Sequence, residues 1–217
     1  MVQVEVPDPW PLGRLVLRTP RLELRPDDDA GLHELVAEAY RGVHDPASMP
    51  FGVPWTDAPA AELGRNMLQF YWSQRAGLQP HDWTINFLVR LDGVVVGTQG
   101  LAAREFAVTR ELNTGSWIGR RFQGRGIGTE MRAAVLQFGF DRLGAELARS
   151  EAWLDNAASN AVSCRLGYAA DGTATYARRG VQAVQQRLLV TRDAFKRPDW
   201  DVEVDGYTDA CRVQFAA

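Results

Sequence analysis

The sequence predicts a mixed α/β domain, a central sheet with helices on both of its faces. Three observations carry this. Strand-like runs come early, and two of them, in "WTINFLVRLDGVVVGTQGL", flank Asp92-Gly93, the strongest hairpin signal in the chain. From Leu112 onward the order becomes strand, glycine turn, helix, strand, helix. Apolar residues recur at helical spacing in between, as with Ile127, Met131, Ala134, Val135 and Phe138. A length of 217 residues suits one domain with an appendage, and 46% hydrophobic against 24% charged residues describes a soluble globular chain.

The elements follow in order. Pro7, Pro9 and Pro11 make residues 1–14 an irregular arm. "LVLRTPRLELRP" alternates around Pro20 and predicts an edge strand or a hairpin-like entry. "DDDAGLHELVAEAY" opens a helix whose aspartates cap it and suit its positive end. Arg41 to Pro59 is a long loop with four prolines, of a kind that is often functional. A helix from Ala60 to Arg75 packs through Leu63, Met67, Phe70 and Tyr71, and after the hairpin a strand covers Leu112 to Gly119. The long helix runs from Gly126 to Arg142. "ARSEAWLDN" is a strand, "NAASNAVSCRLGY" a short helix with Gly167 as C-cap, and "VQAVQQRLLVTRDAF" closes the sheet. Residues 15–197 thus form the domain, and 198–217 a C-terminal extension. That extension holds strand-like "DVEVDGYTDACRVQF", which is available to a partner's strand and leaves a homo-oligomer open.

Composition excludes several functions. A formal charge of −3 argues against a nucleic-acid binder. Cys164 and Cys211 make neither a zinc spacing nor a disulfide framework, which fits a reducing cytoplasm, and His33, His44 and His81 are scattered, so no metal site is expected. The first residues lack a basic-then-apolar leader pattern, and no apolar run approaches the roughly 20 residues that cross a bilayer.

Gly124, Gly126 and Gly128 stand at alternate positions just before the long helix. Glycine is costly where order is needed, so this spacing implies a close approach of backbone to a ligand. Helix N-termini present unpaired N–H groups and partial positive charge, and Arg120, Arg121 and Arg125 add more, so a phosphate or pyrophosphate is the natural ligand. A Walker A loop needs Lys-Ser/Thr where Arg125-Gly126 stand. A dinucleotide fingerprint fits at Gly124 and Gly126 but meets Thr129 at its third glycine, which leaves an oxidoreductase as a weak rival.

Gln123-Gly124-Arg125-Gly126-Ile127-Gly128 resembles the [QR]xxGxG motif of the GCN5-related N-acetyltransferases. Asn156, Ser159, Val162, Gly167 and Tyr168 resemble the NxxSxxVxxxxGF/Y pattern of the RimJ/RimL-like branch, and "TPRLELRP" and "SWIG" resemble its opening and fourth strands. The likeness covers Leu15 to Lys196. It implies a mostly antiparallel, twisted sheet of about seven strands, splayed between the fourth and fifth. "GVHDPASMPFGVPW" further resembles an actinobacterial group of this superfamily, which implies succinyl-CoA beside acetyl-CoA as donor.

By that resemblance, the backbone of Ile118 and Gly119 pairs with pantetheine, the N–H groups from Gln123 to Thr129 cradle the pyrophosphate, and Arg121 and Arg125 reach phosphates. Asn156 faces pantetheine or caps the following helix, and Ser159 hydrogen-bonds the departing thiolate. Ser163 stands where many relatives carry a tyrosine acid. Asn113 stands where many carry a glutamate base, which leaves Glu105, Glu111, His44 or Asp45 for that role, with Glu105 the choice. Trp55, Trp83, Trp117 and Trp153 are pocket or core residues, and His44, Phe51, Trp55 and Trp117 are the expected substrate-side set. A lysine amine is neutral only about once in 2,500 at pH 7, a cost of about 4.6 kcal/mol, against about 1 kcal/mol for an α-amine. A poor base therefore favours a protein N-terminus or a small-molecule amine. A non-catalytic CoA-binding regulatory domain is the alternative of another class.

Overall fold

A computed structural model describes residues 7–217, so the first six residues of the predicted arm lie outside the described residues. Among the described residues nine strands form one sheet in the order β7-β8-β6-β5-β4-β3-β2-β1-β9. They are β1 (Val16–Arg18), β2 (Leu22–Pro26), β3 (Asp82–Leu91), β4 (Val94–Arg104), β5 (Glu111–Ile118), β6 (Leu147–Trp153), β7 (Ala169–Arg178), β8 (Val181–Thr191) and β9 (Glu203–Asp205). The helices are α1 (Asp29–Tyr40), α2 (Ala60–Ala76), α3 (Phe106–Thr109), α4 (Ile127–Gln137), α5 (Ala157–Arg165) and α6 (Asp209–Gln214). The expected seven strands become nine. The stretch around Pro20 splits into a β1–β2 hairpin, and the C-terminal extension adds β9.

Asp92 and Gly93 both take positive φ, 51° and 79°, which matches the right-handed twist of the β3–β4 hairpin. Every strand pair is antiparallel except β5–β6. That parallel pair holds register only from Glu111–Asn113 against Leu147–Arg149, and beyond it the strands part. Ser116–Ile118 on β5 and Ser150–Trp153 on β6 therefore have no ladder with each other, and a gap opens in mid-sheet.

One sheet face carries α1 and α2, packed through Leu32, Leu35, Leu63, Met67 and Tyr71 onto Leu88, Val95 and Trp117. The other face carries α4, whose Ile127, Met131 and Val135 are buried. It runs on as a π-helical turn from Phe138 to Leu143, ended by left-handed Gly144. Buried Glu130 fixes its first turn, accepting from Thr19 Oγ1 (2.6 Å) and Arg21 Nε (2.7 Å) at the β1–β2 turn.

The C-terminal segment is part of this core. β9 pairs with β1 of the same chain. Phe215 and Cys211 are fully buried, and the Trp83 indole stands edge-on to Phe215, 4.9 Å between centroids, while its Nε1 donates to Phe215 O at 3.1 Å. No helix among the described residues is long and apolar enough to cross a membrane.

Candidate active site

Two cavities adjoin at the gap between β5 and β6. The first, about 910 Å³, lies on the α2 side and is walled by α2, by the 41–59 loop and by β3–β5. The second, about 730 Å³, lies toward α4 and α5 and reaches the glycine turn. Thr114, Gly115, Ser116 and Trp117 of β5, Ser150 and Glu151 of β6 and Phe51 of the loop line both.

At the far end of the second cavity Gly124 and Gly126 adopt φ of 73° and 79°, and Gly126 caps α4 without a side chain. The N–H groups of Gly124, Arg125, Gly126, Ile127 and Gly128 donate to no protein acceptor among the described residues. Five unpaired donors, left-handed glycines and a helix N-terminus together make an anion cradle. The cradle is shorter than expected. Gln123 N–H is spent on Arg120 O and Thr129 N–H on Gly126 O, although Thr129 still lines the cavity. The Gln123 side chain serves the framework, donating from Nε2 to Val43 O (2.7 Å) and Ile118 O (2.9 Å).

Three further expectations are corrected. Arg121 does not reach the cavity: it forms a forked pair with buried Glu38, which holds its guanidinium above the usual arginine range. Gly119 is glycine because the Glu38 carboxylate occupies the place of a Cβ, and its N–H donates to Val96 O at 2.9 Å, away from the gap. By alternation along β5, the N–H groups of Ser116 and Ile118 point into the gap instead. Arg125 stays outside the cavity, 5.9 Å from the Phe122 ring. Two of the missed cations are Arg165, which lines the cavity from α5, and Arg21, which donates to Arg125 O at 3.1 Å and sits beside Gly126. Neither belongs to the glycine pattern, so local sequence could not point to them.

Asn156 caps α5, its Oδ1 accepting from Ser159 N at 3.1 Å, and both residues line the second cavity. The cap uses Oδ1 and leaves the Asn156 side-chain N without a protein partner among the described residues. Ser163 is buried and holds Arg132 Nη1 at 2.9 Å. Glu105 lines neither cavity. It sits exposed and left-handed (φ 50°) in the turn after β4, its N–H on His81 O. Glu111 is bound to Arg149 at 2.8 Å. His44 lines the second cavity, not the first, and both ring nitrogens are engaged, Nδ1 with Asp45 O (2.8 Å) and Nε2 with Thr56 Oγ1 (2.7 Å).

Phe51, Trp55 and Trp117 form an aromatic wall of mutually tilted rings, with centroids 5.1 Å and 5.4 Å apart. Trp117 Nε1 donates to Tyr71 OH at 3.2 Å, and burial pushes the Tyr71 phenol up to about 12. Trp83 and Trp153 are core. Trp153 Nε1 nevertheless donates to Phe51 O at 3.1 Å and so holds the loop. At the β7–β8 turn, Arg178 pairs with Asp155, and Arg179 clasps Asp57 and Pro46 O. Among the ionisable residues lining the first cavity, only Glu151 bears a carboxylate, and no Arg, Lys or His is present. Glu151 forms no ion pair among the described residues and shares its sheet face with Trp153. Its odd position along β6 was legible, but which face met the gap was not.

A nine-stranded open sheet parted at one parallel pair, with an anion cradle at the helix beside the gap, defines an acyltransferase-like α/β fold. Residues 14–169 match the family model "Acetyltransferase (GNAT) domain", and the chain belongs to this family. RimJ of Mycobacterium smegmatis, solved in complex with a CoA-disulfide, superposes with a TM-score of 0.68 at 18% identity over 84% of this chain and 90% of its own. A RimL ribosomal-protein α-N-acetyltransferase in complex with coenzyme A gives 0.63 at 20% over 81% and 97%. A Salmonella typhimurium acetyl transferase described as modifying the N-terminal serine of a 50S ribosomal subunit protein gives 0.60 at 19% over 80% and 96%.

Proposed function

We propose that this protein is an acyl-CoA-dependent N-acyltransferase that moves an acetyl group from CoA to a primary amine by direct attack in a ternary complex. The meeting of two cavities at the β5–β6 gap carries the reading. CoA fills the second, its pyrophosphate on the N–H groups of Gly124 to Gly128, its pantetheine in the gap, its thioester at Ser116. The amine enters through the first. Its nitrogen attacks the thioester carbon, the N–H group of Ser116 receives the developing oxyanion while that of Ile118, one pleat further along β5, pairs with pantetheine, and Glu151 takes the proton. An apolar wall of α2 and the loop suits an amine on an apolar body, either a small molecule or a protein N-terminus with apolar side chains. Succinyl-CoA is the second donor to test. The first cavity lacks a cation for its carboxylate, which favours acetyl.

Melting with CoA tests binding. At 100 times Kd the ligand stabilises by about 2.7 kcal/mol, a rise of about 5–10 °C for a chain of this size. Thiol release from acetyl-CoA and succinyl-CoA across an amine panel tests turnover. No CoA-dependent shift refutes the reading, and a shift without turnover for any amine replaces it with a CoA-binding regulatory domain.

A further inference from the structure

Arg132 projects from the second turn of α4 into the wall of the second cavity. It is 4% exposed. Nη1 donates to Ser163 Oγ at 2.9 Å, Nη2 reaches Ser116 Oγ at 3.4 Å, and Nε–H has no acceptor. No carboxylate among the described residues pairs with it. The other buried charges are matched: Glu38 by Arg121, Glu130 by Arg21, Asp27 by Arg75. Burying a lone guanidinium costs several kcal/mol, which an arriving anion offsets.

Position selects the anion. Arg132 lies five residues into α4 from Ile127, about 7–8 Å along the axis from the phosphate cradle. Its neighbour Ser116 lines both cavities, so the guanidinium stands at the thioester end. Resting on the function proposed above, we propose that Arg132 stabilises the CoA thiolate as it leaves. When the amine nitrogen bonds to the carbonyl carbon and the C–S bond breaks, the electron pair goes to sulfur beside the guanidinium. Arg132 keeps its protons. The amine's proton goes to Glu151, and the thiolate is protonated later from solvent. No phenol is needed: Ser163 replaces it, and buried Tyr168, hydrogen-bonded to Thr114 Oγ1 at 3.3 Å, stays outside the cavity.

The test titrates the thiol of CoA bound to the full-length protein by its thiolate absorbance, with protein alone subtracted. Glu151, Arg165, His44 and Asp45 line the same cavity, and Tyr168 faces the guanidinium; all are constant across Arg132 variants. In the wild type the bound thiol titrates at least about one unit below free CoA. Arg132→Lys keeps most of the shift. Arg132→Gln and Arg132→Met abolish it and lower kcat about 10- to 100-fold with little change in the acceptor KM. A wild-type bound thiol at or above free CoA overturns the proposal without recourse to any variant. So does a shift equal in wild type and Arg132→Gln, or a variant that loses affinity for succinyl-CoA alone while the thiol is unmoved. Failure of the wild type to bind CoA is a different result, and it refutes the functional reading itself.

Discussion

Replacing Glu151 by Gln separates chemistry from folding. The residue is exposed, makes no ion pair among the described residues and lines the meeting point of both cavities. Its loss should therefore move Tm by under about 2 °C, as surface substitutions do. Its removal as proton acceptor should cost about 10²- to 10³-fold in kcat, the usual worth of a placed base, or about 3–4 kcal/mol of barrier. CoA affinity should hold, because the cradle lies at the other end of the cleft. With no base, the remaining rise of kcat/KM with pH should follow the acceptor amine's own titration, and an acceptor of lower pKa should recover more of the rate. The assay is thiol release at saturating acetyl-CoA across pH 6–9. A Gln variant within about threefold of wild type at pH 7, with an unchanged pH profile, refutes the assignment.

Gly126→Ala forces a Cβ into a φ of 79°, at about 1–2 kcal/mol, and should weaken CoA binding at least about tenfold by isothermal titration. Phe215→Ala empties a fully buried ring site against Trp83 and Phe138 and should cost about 3–5 kcal/mol, read as a Tm fall of about 6–20 °C. The Arg179 guanidinium holds the Asp57 carboxyl below its usual range. The folded-state value is depressed, so this loop contact is complete above the ordinary aspartate value and is lost as pH falls through and below it. Proteolysis within residues 41–59 should rise in that acid window, and Arg179→Ala should show the same rise at pH 7.

Much of the fold was legible because local chemistry agrees with the tertiary result. Asp92-Gly93 makes its hairpin, Asp28 caps α1 through Gly31 N, and the apolar stripe from Ile127 to Phe138 meets the sheet. The glycine turn ahead of α4 was legible for the same reason, since glycines at positive φ leave a mark in sequence. What stayed hidden depends on pairing between distant segments. Glu38 claims Arg121 across 83 residues, and β9 finds β1 at the far end of the chain. Glu151 and Arg132 gain meaning only from where β5 and β6 separate, a property of sheet register that no window around either residue contains.

The Gln123 amide has a mechanical consequence. One side chain grips Val43 O at the root of the aromatic loop and Ile118 O at the mouth of the gap, while its own residue begins the glycine turn. On the proposed function, seating CoA should stiffen the root of the loop that walls the acceptor cavity. Donor and acceptor should bind with positive cooperativity, each tightening the other by one common factor, and that factor should vanish when the single carboxamide is removed in Gln123→Ala.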